Sequence, residues 1–382
     1  MQECYLPTGN EWVSLPTLQA RTGALESFSF LHMGYKGLIE QRGGASLPLM
    51  TPFFETEGER ASLQSLTWGR KSDWIPTFCG TAGSLAVEGM LLAPVGERGF
   101  LYQLTVRSTS DKPLSSTFGL EGCWASAWHC VNEDKEIDGA RRCYTSLWND
   151  SLIFDMRCGL PLFAFAPMMD QPCSSTFQET DAGIVYRLAH ACTLEPGEAV
   201  TVTFYWGVGF EEVAAATSAK EMLRQGWQHE LQVTTDWLDA RRWPIPDAQL
   251  ERLYNTNLFF CLFYSAGITL DTEELVLVTS RSPRYYVSAA YWDRDSLLWS
   301  FPTVVDADPA LARRMLDYVF GRQRRNLGVH SRYIDGTVLE PGFELDELMA
   351  PVLALERYVG ATGDRDCLED NAIRSGLTDI LR

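Results

Sequence analysis

Nine consecutive residues, Tyr291-Trp292-Asp293-Arg294-Asp295-Ser296-Leu297-Leu298-Trp299, bring together one guanidinium, two carboxylates and three aromatic rings. Carboxylate and guanidinium groups each take two hydrogen bonds in a fixed plane, which matches neighbouring hydroxyls of a sugar, and an indole stacks on the apolar face of a pyranose. The stretch follows a loop-like segment and reads as the start of a helix, whose first turn would present its side chains to a pocket. The same residue types also make an ordinary ion pair at a helix N-terminus, where the macrodipole favours an acid. Residue chemistry alone leaves both readings open.

Trp292-Asp293-Arg294-Asp295-Ser296-Leu297-Leu298 resembles the Trp-x-Arg-Asp-Ser segment of glucoamylases and the Gly-Arg-Asp-Thr segment of the glucosidase domain of glycogen debranching enzymes. In those families the Arg-Asp pair opens the second helix of an (α/α)6 barrel and binds hydroxyls of the terminal sugar. The resemblance gives substrate binding to Arg294 and Asp295, and the indole of Trp292 beside them is the substrate-binding ring expected from its chemistry.

Phe343-Glu344-Leu345-Asp346-Glu347-Leu348 opens a later helix, the fourth of an alternating set. If helices two and four are both inner helices entering the barrel mouth at their N-termini, Asp346 and Glu347 come near Trp292, Arg294 and Asp295. Glycoside cleavage needs such a cluster: one acid to protonate the leaving oxygen and a second carboxylate to activate water. Asp346 through Thr362-Gly363-Asp364 is similar to a debranching-enzyme segment, which implies that Asp346 is the general acid. The glucoamylase pattern instead implies a substrate-binding aspartate there, with the acid on the sixth helix. Asp346 is thus a catalytic candidate of open role, and Glu347 is its weaker companion, about 100° around the helix.

The rest of the chain must position these groups. Net charge is 32 − 50 = −18, which repels phosphate backbones and anionic lipid and excludes nucleic acid and membrane surfaces as partners, but is indifferent to a neutral carbohydrate. The start, Met1-Gln2-Glu3-Cys4-Tyr5, has no basic or apolar leader pattern, and no run approaches the roughly 20 apolar residues of a membrane span. A cytoplasmic protein is expected. Ten dispersed cysteines without a Cys-x-x-Cys pair read as reduced thiols. Trp128-His129-Cys130 is the one place where metal-capable side chains adjoin, and strand neighbours point to opposite faces, so neither metal nor cofactor is expected.

Up to about residue 210 the pattern is β. Phe100, Tyr102, Leu104 and Val106 alternate, as do Leu152, Phe154 and Met156. Ile184 to Leu194 and Val200 to Val208 read as a hairpin turned by Glu195-Pro196-Gly197-Glu198, with His190 as a core histidine. Trp12, Trp68, Trp74, Trp124, Trp128 and Trp148 read as core fillers rather than a sugar-stacking platform. From Glu211 the period changes to helical, with Ala219, Leu223, Trp227 and Leu231 recurring every four residues until Trp243-Pro244-Ile245-Pro246.

Beyond it, Asp247 caps a first helix with Leu250, Leu253, Tyr254, Leu258, Cys261 and Leu262 on one face. Residues 268–290 read as a small hairpin, Arg294 starts a second helix, and Asp308-Pro309 starts a third whose Arg313, Arg314, Arg322, Arg324 and Arg325 read as a solvated face. Residues 326–342 read as a loop, the fourth helix follows, and a fifth runs from Arg365.

The expected architecture is multidomain β + α: an antiparallel β-sandwich of super-sandwich type over 1–210, a helical linker over 211–243, and over 244–382 the first part, about five helices, of an (α/α)6 toroid. Bacterial glucoamylases and disaccharide phosphorylases share this layout. Five helices against twelve suggests a fragment or a shortened homologue lacking the second catalytic carboxylate, and its unpaired apolar flanks predict self-association. The expected function is acid/base hydrolysis, inverting at the sugar, of the terminal residue of an oligo- or polysaccharide. The alternatives are a non-catalytic carbohydrate-binding protein and a glycoside phosphorylase, which needs a phosphate site the sequence does not display.

Overall fold

A computed structural model describes residues 4–147 and 149–382, so the first three residues of the presumed start and Trp148 of the tryptophan set lie outside the described residues. The chain divides into two compact units. The first comprises residues up to Phe28, Glu40–Trp128 and Glu136–Trp237; the second comprises Ser29–Ile39, His129–Lys135 and Leu238–Arg382.

In the first unit an eight-stranded sheet runs in the order Ala140–Thr145, Leu152–Cys158, Leu160–Met169, Ala199–Gly209, Gly99–Ser108, Leu85–Leu92, Ile75–Ala82, Leu63–Lys71. A five-stranded sheet runs Ser174–Thr180, Gly183–Leu194, Leu114–Trp124, Thr51–Thr56, Glu59–Ala61. Neighbouring strands in both are antiparallel. The expected hairpin over Ile184–Val208 is corrected. Gly183–Leu194 pairs with Leu114–Trp124, whereas Ala199–Gly209 pairs with Gly99–Ser108, so the Pro-Gly turn hands the chain from one sheet to the other. The two apolar faces read as partners side by side meet across the sandwich, where Tyr186 packs edge-on to Trp206 at 5.6 Å. Phe154 and Phe165 stack at 4.7 Å and Trp124 stands edge-on to Phe165 at 5.1 Å, so aromatic rings fill this core.

Trp12, Trp74 and Trp124 are buried as core fillers, while Trp68 and Trp128 are half-buried. His190 is buried, its Nδ1 2.8 Å from the carbonyl of Pro172 and its ring edge-on to Phe118. All ten cysteines are free thiols.

The single linker helix expected over 211–243 is two, α1 (Glu212–Gln225) and α2 (Trp227–Asp239). Gly226 breaks them at φ +85°, a conformation glycine adopts without strain, although the apolar period runs straight through it. Helix α1 lies on the eight-stranded sheet by way of small residues: a Cβ at Gly207 would stand 2.1 Å from the Ala215 carbonyl oxygen.

In the second unit α3 (Ala248–Tyr264) is capped as expected, the Asp247 carboxylate accepting from the amides of Gln249 and Leu250, an arrangement that contributes about 1 kcal/mol. Its apolar face is not the one expected, since Leu258 and Leu262 are buried but Leu250, Leu253 and Tyr254 are exposed. A short hairpin of Ala266–Ile268 and Leu275–Leu277 follows, with Val276 and Val278 buried. A π-helical stretch, Arg294–Ser300, continues into α4 (Phe301–Ala307), and Asp308 caps α5 (Pro309–Gly321) through the Leu311 amide.

Residues 326–342 are not a plain loop but contain a second hairpin, Val329–Arg332 paired with Val338–Phe343. Then come α6 (Leu345–Thr362), stopped by Gly363 at φ +74°, a 3-10 turn at Asp366–Glu369, and α7 (Asn371–Ile380). The fifth helix thus starts later than expected, because Asp370 caps it with its side chain on the Ala372 and Ile373 amides. Three of the five arginines expected on a solvated face, Arg313 in α5 and Arg322 and Arg324 just beyond it, are ion-paired. Arg313 meets Asp317 and Asp370, Arg322 meets Glu274, and Arg324 meets Asp379. Among the described residues no helix is long and apolar enough to cross a membrane.

Candidate functional site

The Arg294–Ser300 stretch is wound with five-residue hydrogen bonding, the Phe301 amide donating to the Ser296 carbonyl. Arg294 is the hub. Its Nη1 donates to Asp346 at 2.8 Å and to Glu344 at 3.0 Å, its Nη2 lies 3.7 Å from Glu347, and its Nε lies 3.9 Å from Asp295. Four carboxylates around one guanidinium fix the plane of that group.

Glu347 holds the hub from beneath. Its Oε2 accepts from the amides of Asp293 (2.6 Å) and Arg294 (3.3 Å), capping the helical start, and the residue is wholly buried. Burial, reinforced by the nearby Asp293 charge, pushes its carboxyl up to about 8. Asp346 is half-exposed, and its hydrogen bond from Arg294 holds its pKa below the ordinary value. Glu344 is lowered too, first by a hydrogen bond with His330 Nδ1 at 2.8 Å and then by Arg294. Asp295 goes the other way, because burial outweighs the attraction of Arg294 and raises it.

Arg294, Asp295 and Trp292 line a cavity of about 310 Å³, together with Asn132, Tyr285, Tyr286, Trp299, His330 and Glu340. A neighbouring cavity of about 320 Å³ shares Tyr285, Asp295 and Trp299 with it. Trp299 and Tyr286 are largely exposed, and Trp292 is buried with its ring perpendicular to His330 at 5.8 Å. The rings of Tyr285 and Tyr286 lie 5.0 Å apart. Opposed carboxylates, one guanidinium and exposed aromatic faces can hydrogen-bond vicinal hydroxyls and stack on a pyranose.

The five sequence-derived site residues therefore converge, but in two layers. Trp292, Arg294 and Asp295 face the cavity. Asp346 and Glu347 are not among its lining residues and reach it only through Arg294. Asp293, the other carboxylate of the nine-residue stretch, is fully buried and bonded to Tyr291 and Arg332. Asn132, His330, Glu340 and Glu344 were not singled out as site residues. The last three sit on or just after the second hairpin, for which Asp335-Gly336, with Gly336 at φ +80°, was the available turn signal. Asn132 donates to Glu340 at 3.1 Å from far away in sequence, and nothing local marks it.

At the level of sequence, no family model and no curated protein matches the chain. Solved structures do match in fold. One is described as "Putative kojibiose phosphorylase from human microbiome", with 11% identity, a TM-score of 0.62 and 98% of this chain covered. Another is a bacterial glucoamylase complexed with acarbose, with 11% identity, a TM-score of 0.52 and 99% of this chain covered. At such identities the likeness is one of fold: antiparallel sheets followed by helices, as in these two carbohydrate-active proteins. The chain spans 56% and 59% of their respective lengths.

Proposed function

We propose that this chain carries the terminal-sugar site of a glycoside-cleaving enzyme built on an (α/α)6 toroid, with Arg294 and Asp295 clamping hydroxyls and Trp292 forming part of the wall. The observation that carries the reading is the cavity in which Asp295 and Arg294 stand among Tyr285, Tyr286 and Trp299. The leading reaction is acid/base hydrolysis with water as the acceptor; the residues given roles below bind the sugar or position Arg294, and none of them is assigned as its acid or base.

The roles proposed for the two later carboxylates differ from each other. Asp346, kept ionised by Arg294, is a poor proton donor near neutral pH and acts as a brace for the guanidinium. Glu347 holds its proton near neutrality but is wholly buried, so it positions Arg294. Asp295, raised and in the cavity, is the carboxyl group best placed to touch substrate.

A glycoside phosphorylase is the second reading, favoured by the fold shared with the kojibiose phosphorylase-like structure. The test is calorimetric titration with acarbose, maltose and kojibiose, followed by incubation of maltose and kojibiose with and without orthophosphate. Binding lost in Asp295→Asn supports the site. Sugar phosphate formed only with orthophosphate selects the phosphorylase. Undiminished binding by the variant removes the site assignment.

A further inference from the structure

The eight-stranded sheet of the first unit is covered on its outer face over only part of its width. Under α1 the face is made of small residues, Ala164 opposite Gly209 and Ala166 opposite Gly207, which let the helix approach. On the far side of the strand Ala199–Gly209 the same face continues without a helix. Register places Gly69, Thr77, Met90, Gln103 and Thr203 in one row across five strands, and Thr67, Cys79, Glu88, Thr105 and Thr201 in the next. Trp227, the first residue of α2, closes one side, anchored by its amide on the Tyr205 hydroxyl at 3.0 Å. The result is a cleft of about 560 Å³, within the range of roughly 300–1,000 Å³ typical of small-molecule sites.

The uncovered face of an antiparallel sheet is ordinarily polar and solvated, so polarity alone means little. Here one polar lining group is recessed: Gln103 is only 9% exposed, and its row continues into the fully buried Thr203. The Gln103 amide nitrogen donates to Thr203 at 3.3 Å, and its carbonyl oxygen has no partner among the described residues. The Trp227 indole N–H and the Thr77 hydroxyl are likewise without partners there, and Gly69 leaves space beside Thr77, where a Cβ would stand 3.3 Å from Oγ1. Lys71 and Glu88, both lining the cleft, balance in charge and are not ion-paired.

A partly recessed wall of donors and acceptors with no net charge suits groups that donate and accept at once, and hydroxyls do so. The thioether of Met90 and the indole of Trp227 supply apolar contact for ring C–H faces. A phosphate or carboxylate ligand would meet Glu88 against a single lysine. We propose that this cleft is a second carbohydrate-binding site, taking a neutral oligosaccharide independently of the Arg294 cavity.

The experiment titrates the whole chain by calorimetry with maltoheptaose, cellohexaose and laminarihexaose, comparing the parent with Asp295→Asn, the double variant Thr77→Val/Gln103→Leu, and Trp227→Phe. The proposal expects at least one of these sugars to bind Asp295→Asn as it binds the parent at one site. It expects that binding to weaken about tenfold or more in the Thr77/Gln103 variant and more modestly in Trp227→Phe, which loses the N–H donor and the fused five-membered ring but keeps an aromatic face. Should the double variant fail to fold, as shown by its circular dichroism, Trp227→Phe decides. No binding to Asp295→Asn at sugar concentrations up to about 10 mM, or binding indifferent to all the cleft variants, overturns the second site. Loss of the Asp295-dependent binding alone bears on the Arg294 cavity and leaves the cleft standing.

Discussion

Replacing Glu347 with glutamine should change how stability depends on pH, in a direction fixed by burial. The carboxyl titrates at 4.5 in the ordinary state and at about 8 in the fold. Between those values the unfolded chain has lost a proton that the folded chain keeps. The folded state is therefore favoured at low pH, and that contribution is lost as pH rises from about 4.5 through about 8. At about 1.4 kcal/mol per pH unit the difference sets a ceiling of about 5 kcal/mol. Water entry and local relaxation lower such penalties, so roughly half of it, about 2–3 kcal/mol, is the expected size.

Glutamine has the same shape, retains an oxygen for the Asp293 and Arg294 amides, and has no proton to lose in this range. Urea unfolding of parent and Glu347→Gln, followed by tryptophan fluorescence at intervals from pH 5 to pH 9, isolates the effect. Glu230, whose pKa is pushed up by burial to about 7, titrates in both proteins and cancels in the difference. The variant should match the parent near pH 5 and exceed it increasingly toward pH 9. Parallel curves across that span would show that Glu347 is ionised in the fold and that the charge balance drawn around Arg294 is wrong.

Asp295→Asn should weaken sugar binding and turnover together, by roughly 5- to 150-fold for the loss of 1–3 kcal/mol of hydrogen bonding, as read by titration with a terminal-sugar mimic alongside initial rates. Asp346→Asn should loosen Arg294 and raise KM more than it lowers kcat; an activated substrate with a good leaving group would rescue turnover only if Asp346 were instead the proton donor. Asp293→Asn leaves the fully buried Arg332 without its counter-charge and should cost about 3–5 kcal/mol in chemical denaturation, since breaking one partner of a buried pair strands the other.

The change from period-2 to period-3.6 patterning located the β and helical regions because each burial surface imposes its own repeat. Caps were legible for the same local reason: Asp247 and Asp308 bond to amides two or three residues away. What escaped depended on distant partners. Two strands that alternate identically can lie side by side or face each other across a sandwich, and only the pairing of Gly183–Leu194 with Leu114–Trp124 decides between them. An apolar stripe continues unchanged through Gly226 because side-chain periodicity does not report a backbone φ of +85°.

The site divides along the same line. Arg294 and Asp295 were marked by adjacent complementary chemistry together with the resemblance to glucoamylases and debranching enzymes, and Asp346 by that resemblance and by the acid opening a later helix. Asp293 looked equivalent to Asp295 in sequence, yet one is sealed against Arg332 and Tyr291 while the other reaches the cavity. The π-helical winding that begins at Arg294 has no composition signature. Glu347 shows most directly how role follows environment rather than residue type. Beside an exposed Asp346 of lowered pKa, the next residue in the chain is wholly buried and keeps its proton to about pH 8, so two adjacent acids on one helix present opposite charge states to the same guanidinium. Arg294 is thus braced by ionised Asp346 and Glu344 on one side and by a neutral carboxyl on the other. Its remaining hydrogen-bonding capacity is left for the cavity, where a sugar hydroxyl would compete with Asp295 for it.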